Sequence, residues 1–211
     1  MKTKYFTEEL SNISGIVKPI EVNYRLKQKD KNANNFAFEF HAINKTSKLT
    51  WNPEPGHYWR NRIFTPNACN SCTDTFAETT DIVIMDAWLP EYSKDYRGHT
   101  LLLVRNQKLN DLLLESNELI VKDIAPSKVS LSQKGVIINK KVFSQGTKNP
   151  ILKRVVNNKL KIQKLSLWNK YDENKEEIDL LVLDTKKYEK ILWYLSLPTK
   201  IISKIKKKLK R

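Results

Sequence analysis

The feature that most constrains this chain is Asp81-Ile-Val-Ile-Met-Asp86, a four-residue apolar run closed by an acid at each end. The run is too short for a helix. The β-branched Ile82, Val83 and Ile84 suit a strand buried on both faces. A second run, His99-Thr-Leu-Leu-Leu-Val-Arg105, has the same build. Two such strands cannot cover themselves, so the chain must fold around a sheet with helices packed against it.

The flanking sequence fills in that plan. Asn106 predicts a helix cap, followed by Leu109, Leu112 and Leu113 along one helical face. Residues 118–122 read as a third strand, and strand, helix, strand in that order suggests an α/β unit. Upstream, residues 1–35 are polar and irregular, with a basic stretch Tyr24-Arg-Leu-Lys-Gln-Lys29. Phe36, Phe38 and Phe40 then alternate with Ala37, Glu39 and His41, the period-two pattern of a half-buried strand. A turn through residues 44–47 and a return over 48–51 complete a hairpin. Asn52-Pro-Glu-Pro-Gly56 is a breaker cluster, and residues 57–64 follow as a short helix presenting Tyr58, Trp59 and Phe64.

From Pro126 onward the pattern is helical. Pro150 opens a helix through Val156, residues 160–168 carry another, and residues 178–197 form an amphipathic segment. The expected fold class is therefore mixed α/β (α+β): a central sheet with flanking helices and a helical C-terminal part. One domain is expected over residues 1–197, with a basic amphipathic tail over 198–211.

Charge and composition remove several function classes. Five glycines and eight prolines without a period argue against repeat, collagenous or disordered chains. The N-terminus lacks the apolar core of a signal peptide, and no stretch approaches the roughly 18 apolar residues that span a bilayer. A cytoplasmic location is expected. The net charge is +15, of which residues 199–211 carry +7 and the remainder +8 (15 − 7). The remaining excess is scattered lysine, and no helix-turn-helix, zinc-finger or RNP-type pattern accompanies it, so nucleic acid is not the expected partner. In the tail, Ile201, Ile202, Ile205 and Leu209 fall on one side of a helix with lysines around the rest. That pattern suits an anionic membrane surface at the inner face; a solubilising tail is the alternative.

Cys69 and Cys72 are the two cysteines. Their spacing lets two thiolates converge on one metal ion or cluster. A dithiol–disulfide redox pair and the remnant of a lost cluster are the competing readings. Asp86 ends its strand where open α/β sheets place ligand contacts. Trp88 can stack on a flat ring, and Arg105 can pair with a phosphate or carboxylate. Capping, core packing and an ordinary ion pair are the structural readings of the three. His99 reads as structural.

The block from Cys69-Asn-Ser-Cys72 through Asp81-Ile82 to Asp86 and Trp88 resembles the C-terminal domain of coenzyme F420 hydrogenase/dehydrogenase beta subunits. There a Cys-x-x-Cys pair precedes Asp-Ile, a hydrophobic step, Gly-Asp, one residue and Trp; Met85 stands here where the family has glycine. Gly98-His99 leading into Leu103-Val104-Arg105 looks like the family's next strand, and Tyr24, Arg25, Lys29 and Trp59 are fainter echoes. The resemblance spans residues 20–145, most specifically 69–105. It implies an oxidoreductase in which electrons pass between an iron–sulfur cluster, a flavin and a hydride-carrying partner. FAD and a 4Fe-4S cluster are the implied cofactors, with Asp86, Trp88 and Arg105 toward the flavin and Cys69 and Cys72 toward the cluster. The family's N-terminal ferredoxin-like cysteine run is not in this sequence, which implies a ferredoxin-like N-terminal partner or electron donor. Relatives in surface-polysaccharide biosynthesis suggest that setting. The alternative is a non-catalytic accessory or remnant module of the same fold that binds a partner or membrane surface.

Overall fold

Apolar alternation and capping place the elements of this mixed α/β fold. The structure is a computed structural model, and it describes residues 2–167 and 170–197. Those residues form two compact units. One, the sheet unit, comprises Thr7–His57 and Asn70–Ser144; the other, the helical unit, comprises the residues before Thr7, Tyr58–Cys69 and those from Gln145 onward.

The sheet unit holds two antiparallel sheets. β1 (Glu21–Leu26), β2 (Ala37–Ala42) and β3 (Lys45–Thr50) form the first, in that order. β2 is central because phenylalanines in it and just before it supply the core: Phe36, Phe38 and Phe40 are buried, and Phe36 and Phe38 pack on Trp51 with ring centroids 5.2 and 6.3 Å apart. Burying a side chain of this kind contributes about 1.5–3 kcal/mol. β4 (Ile82–Asp86) and β5 (Thr100–Val104) form the second sheet. They pair antiparallel, Ile82 opposite Val104 and Asp86 opposite Thr100. β4 is also not buried on both faces: Val83 is 9% exposed but Ile84 is 70% exposed. Ile82, Met85 and Asp86 lie between these extremes, half-buried.

Helices join these strands. α1 (Lys4–Ile13) buries Phe6 and Leu10. It and β1 lie in the region expected to be irregular. β1 has mostly exposed side chains and is held by backbone pairing to β2, which hydrophobic patterning does not register. α2 (Glu54–Arg60), α3 (Ala68–Ser71) and α4 (Pro90–Ser93) are short. α5 (Gln107–Glu115) starts at the expected cap: Asn106 Oδ1 accepts from the backbone N–H groups of Lys108 (3.0 Å) and Leu109 (3.4 Å). Residues 118–122 form no strand; Leu119, Ile120 and Val121 are exposed, with no neighbouring strand to pair with among the described residues. α6 (Pro126–Ser132) and α7 (Lys134–Gln145) complete this unit apart from the last residue of α7.

The helical unit is dominated by α8 (Pro150–Leu165) and α9 (Lys175–Ser196). α8 is one helix where two were expected, because Asn149 caps it and no breaker interrupts residues 157–160. The pair is antiparallel, as Lys161–Glu177 and Arg154–Asp184 contacts require. Ile162, Ile178, Val182 and Thr185 fill the seam. Gln163 donates to the carbonyls of Thr65 (2.7 Å) and Pro66 (2.8 Å), tying α8 to the segment after α2. Lys2 Nζ donates to Tyr58 O (2.9 Å), Ile63 O (2.7 Å) and Thr65 Oγ1 (3.0 Å). Burial first, and Arg62 second, push that ammonium down to about 7, while the charge of Cys69 acts in the opposite sense. The amphipathic tail expected over residues 198–211 lies outside the described residues.

Candidate functional site

β4 delivers Asp86 to the end of its ladder, and β1 supplies the partner. Arg25 donates to Asp86 through two parallel bonds, Nη1 to Oδ1 at 2.8 Å and Nη2 to Oδ2 at 2.7 Å. Such a bidentate fork fixes both planes. The guanidinium also lies 5.1 Å over the Phe36 ring. Lys27, two residues on, sits 5.9 Å from the same ring and donates to Ala33 O at 3.2 Å. Gly98, with φ +75°, brings the turn before β5 against it: a Cβ added there would lie 3.4 Å from Lys27 Nζ.

The electrostatics follow from this crowding. The bond to Asp86 raises the Arg25 guanidinium above its ordinary value. Burial lowers the Lys27 ammonium, Arg25 adds to that, and Asp86 opposes it. The pair stays open to solvent, with side chains 48% and 39% exposed for Arg25 and Asp86. Next in sequence, Gln28 Nε2 is buried without a hydrogen-bond partner among the described residues. A buried donor left unanswered costs about 1–3 kcal/mol, so it calls for an acceptor.

α6 holds the loop beyond Asp86. Gln133 Nε2 donates to Asp86 O at 2.8 Å, and Ser132 Oγ accepts from the backbone N–H of Trp88 at 2.8 Å. Trp88 itself is 38% exposed. His99 stacks on Tyr92 with centroids 4.7 Å apart, and its carbonyl accepts from Ala87 N at 3.0 Å.

Arg105 is not brought to Asp86. The antiparallel register puts it beside Asp81, whose carbonyl accepts its backbone N–H at 2.8 Å. Five residues of strand separate the two ends, about 16 Å at ~3.3 Å each. Arg105 Nη1 donates to Ala77 O (3.1 Å) and Thr80 O (2.8 Å), and Nη2 to Phe76 O (2.9 Å). Its guanidinium clamps the approach to β4.

The two thiols are free, Cys69 partly buried within α3 and Cys72 exposed just past its end. In the helical unit, the charge of Cys69 acts on Lys2 and Arg62. In the sheet unit, Lys140 Nζ approaches Cys72 Sγ at 3.3 Å and donates to Asp74 O. No group of three or more His, Cys, Asp or Glu that could hold a metal ion occurs among the described residues. Two thiolates supply half of what a four-thiolate cluster takes, so these residues alone do not fit a 4Fe-4S cluster.

Sequence reasoning reached Asp86 but not Arg25 or Lys27 as its neighbours. The signal available was the basic stretch Tyr24 to Lys29, with Arg25 and Lys27 two apart. Nothing in it marks a pairing across 61 positions.

The fold and this site define a mixed α/β domain with a paired, solvent-reachable ionic cluster at a strand end. Residues 3–127 match the family described as the C terminus of the coenzyme F420 hydrogenase/dehydrogenase beta subunit. That is 125 of 211 residues (127 − 3 + 1), and the chain belongs to this family. The match takes in Arg25, Lys27, Cys69, Cys72, Asp86, Trp88 and Arg105, and leaves α7, α8 and α9 outside. The family's name associates the domain with redox cofactors in general and with a partner subunit. No curated protein and no solved structure matches the chain. No helix among the described residues is long and apolar enough to cross a membrane.

Proposed function

We propose that this chain is a flavin-dependent oxidoreductase module that holds FAD at the Asp86 end of β4. The observation that carries the reading is the Arg25–Asp86 fork with Lys27 beside it. The donor set fits the cofactor. Arg25 and Lys27 match the two charges of a diphosphate, and Asp86 accepts from ribityl or ribose hydroxyls. Trp88 offers a partly exposed ring face for stacking. A bound flavin supplies one- and two-electron transfer; the chain's residues bind and orient it.

Binding requires Arg25 to exchange a carboxylate for a phosphate, which half-exposed side chains permit at little cost. Cys69 and Cys72 serve a cluster only with thiolates from a partner. The proposed setting is surface-polysaccharide biosynthesis, on sequence resemblance alone, with residues 198–211 against an anionic membrane surface. Titration of the purified chain with FAD tests the reading. Saturable binding with a shifted flavin spectrum is expected, weakened about tenfold or more in Asp86→Ala, equivalent to about 1.4 kcal/mol. A colourless chain that does not bind FAD supports the accessory module instead.

A further inference from the structure

We infer that the outer face of α9 is a docking surface for an anionic lipid bilayer. Leu183, Lys186, Lys187, Lys190 and Trp193 follow one another at steps of three, one, three and three residues, which keeps them on one helical face. All five are exposed, Leu183 at 62% and Trp193 at 54%. The acids of this half of the helix are turned to α8 and neutralised there. Asp184 is held by Arg154 (3.0 Å) and Asn158 (2.8 Å), and Glu189 by Lys159 (2.5 Å). The outward field from Lys186 onward is therefore positive.

Aromatic placement favours a bilayer over a soluble polyanion. Trp193 and Tyr194 pack edge to face at 5.1 Å in the last turn of α9, with Leu195 65% exposed beside them. Amphipathic rings at the end of a lysine-bearing face suit the boundary between headgroups and acyl chains. No acid occurs after Glu189, and residues 190–211 carry seven lysines and one arginine, so the positive charge continues along the sequence. The face lies outside the segment that matches the family, so it is a property of this chain's C-terminal part. It shares its membrane with the reading of residues 198–211 but stands on α9 itself.

Co-sedimentation of the full chain with phosphatidylcholine vesicles, with and without phosphatidylserine, tests the inference. Salt-sensitive binding to the anionic vesicles alone is expected. Lys186→Gln, Lys187→Gln and Lys190→Gln together should weaken it on the order of a hundredfold, since each lysine near the surface counts for about fivefold. Trp193→Ala should weaken it severalfold and leave the salt dependence unchanged. A comparison variant, Lys206→Gln, Lys207→Gln and Lys208→Gln, separates the two readings. Loss in the 206–208 variant with none in the α9 variant overturns the inference and leaves the tail reading standing. No binding by the intact chain sinks both. Binding of single-stranded RNA through the same lysines, with anionic vesicles left unbound, would reassign the face to nucleic acid and overturn the lipid partner. Thermal unfolding of each α9 variant should match the parent, because every substituted side chain is exposed.

Discussion

The two ends of the β4–β5 ladder carry charged residues of similar sequence appearance and opposite structural fate. At one end the Asp86 carboxylate is held by the Arg25 side chain, and both remain reachable by solvent. At the other, Arg105 donates to three backbone carbonyls of residues 76–80. An ion pair between side chains can trade partners with an arriving ligand. A guanidinium bonded to main-chain oxygens cannot leave without stranding them. Location at a strand end therefore does not make a ligand site; the identity of the partner does. Lys2 in the helical unit is a second cation locked on the main chain, with Tyr58 O and Ile63 O among its acceptors.

Lys2 offers the largest effect. Its folded value of about 7 lies below the ordinary 10.5. Between them the unfolded chain keeps a proton that the folded chain has released, so stability rises with pH across that window. The limit is about 1.4 kcal/mol per pH unit. Lys2→Met should abolish the slope in urea unfolding; an unchanged slope would show that Lys2 titrates freely and is not locked.

Arg105→Ala comes next, with an expected loss of about 2 kcal/mol from three charge-assisted bonds at an exposed position. Arg105→Lys should recover less than half of that, because one ammonium cannot span the acceptors reached by two guanidinium nitrogens. Equal stability of the parent and the alanine variant would erase the contrast between the ladder's ends.

The smallest effect is expected at the end proposed as the site. A double-mutant cycle of Arg25→Ala and Asp86→Ala should give a coupling below about 1 kcal/mol in stability. A coupling of about 3 kcal/mol, on the order seen for buried pairs, would mean that the fork is structural and not exchangeable.

Much of the fold was legible because it rests on local physics. Phe36, Phe38 and Phe40 announced β2 by alternation, and the acid-bounded apolar run and its His99–Arg105 counterpart announced β4 and β5. Asn106 and Pro150 marked helix starts, and the structure shows the caps, at Asn106 and at Asn149. β1 escaped notice because its side chains are mostly exposed and backbone pairing holds it. Residues 118–122 misled because an apolar run is necessary for a buried strand but does not supply the neighbour that pairs with it. The candidate site was half legible: Asp86 and Trp88 stood out, while the basic stretch holding Arg25 and Lys27 was only a faint family echo with no partner assigned.

What this sequence determined by itself is β2, β4, β5, the starts of α5 and α8, and the family, since periodicity, caps and the Cys69 to Trp88 block are all local in the chain. What only the tertiary structure decided is which charges meet. The antiparallel register of β4 and β5 sends Arg105 away from Asp86, and the three-stranded sheet brings Arg25 to it from 61 positions upstream. Pairing across such distances depends on sheet order and strand direction. Both are set by the packing of the whole unit, because hydrogen bonds and ion pairs are made wherever the buried core leaves two groups side by side.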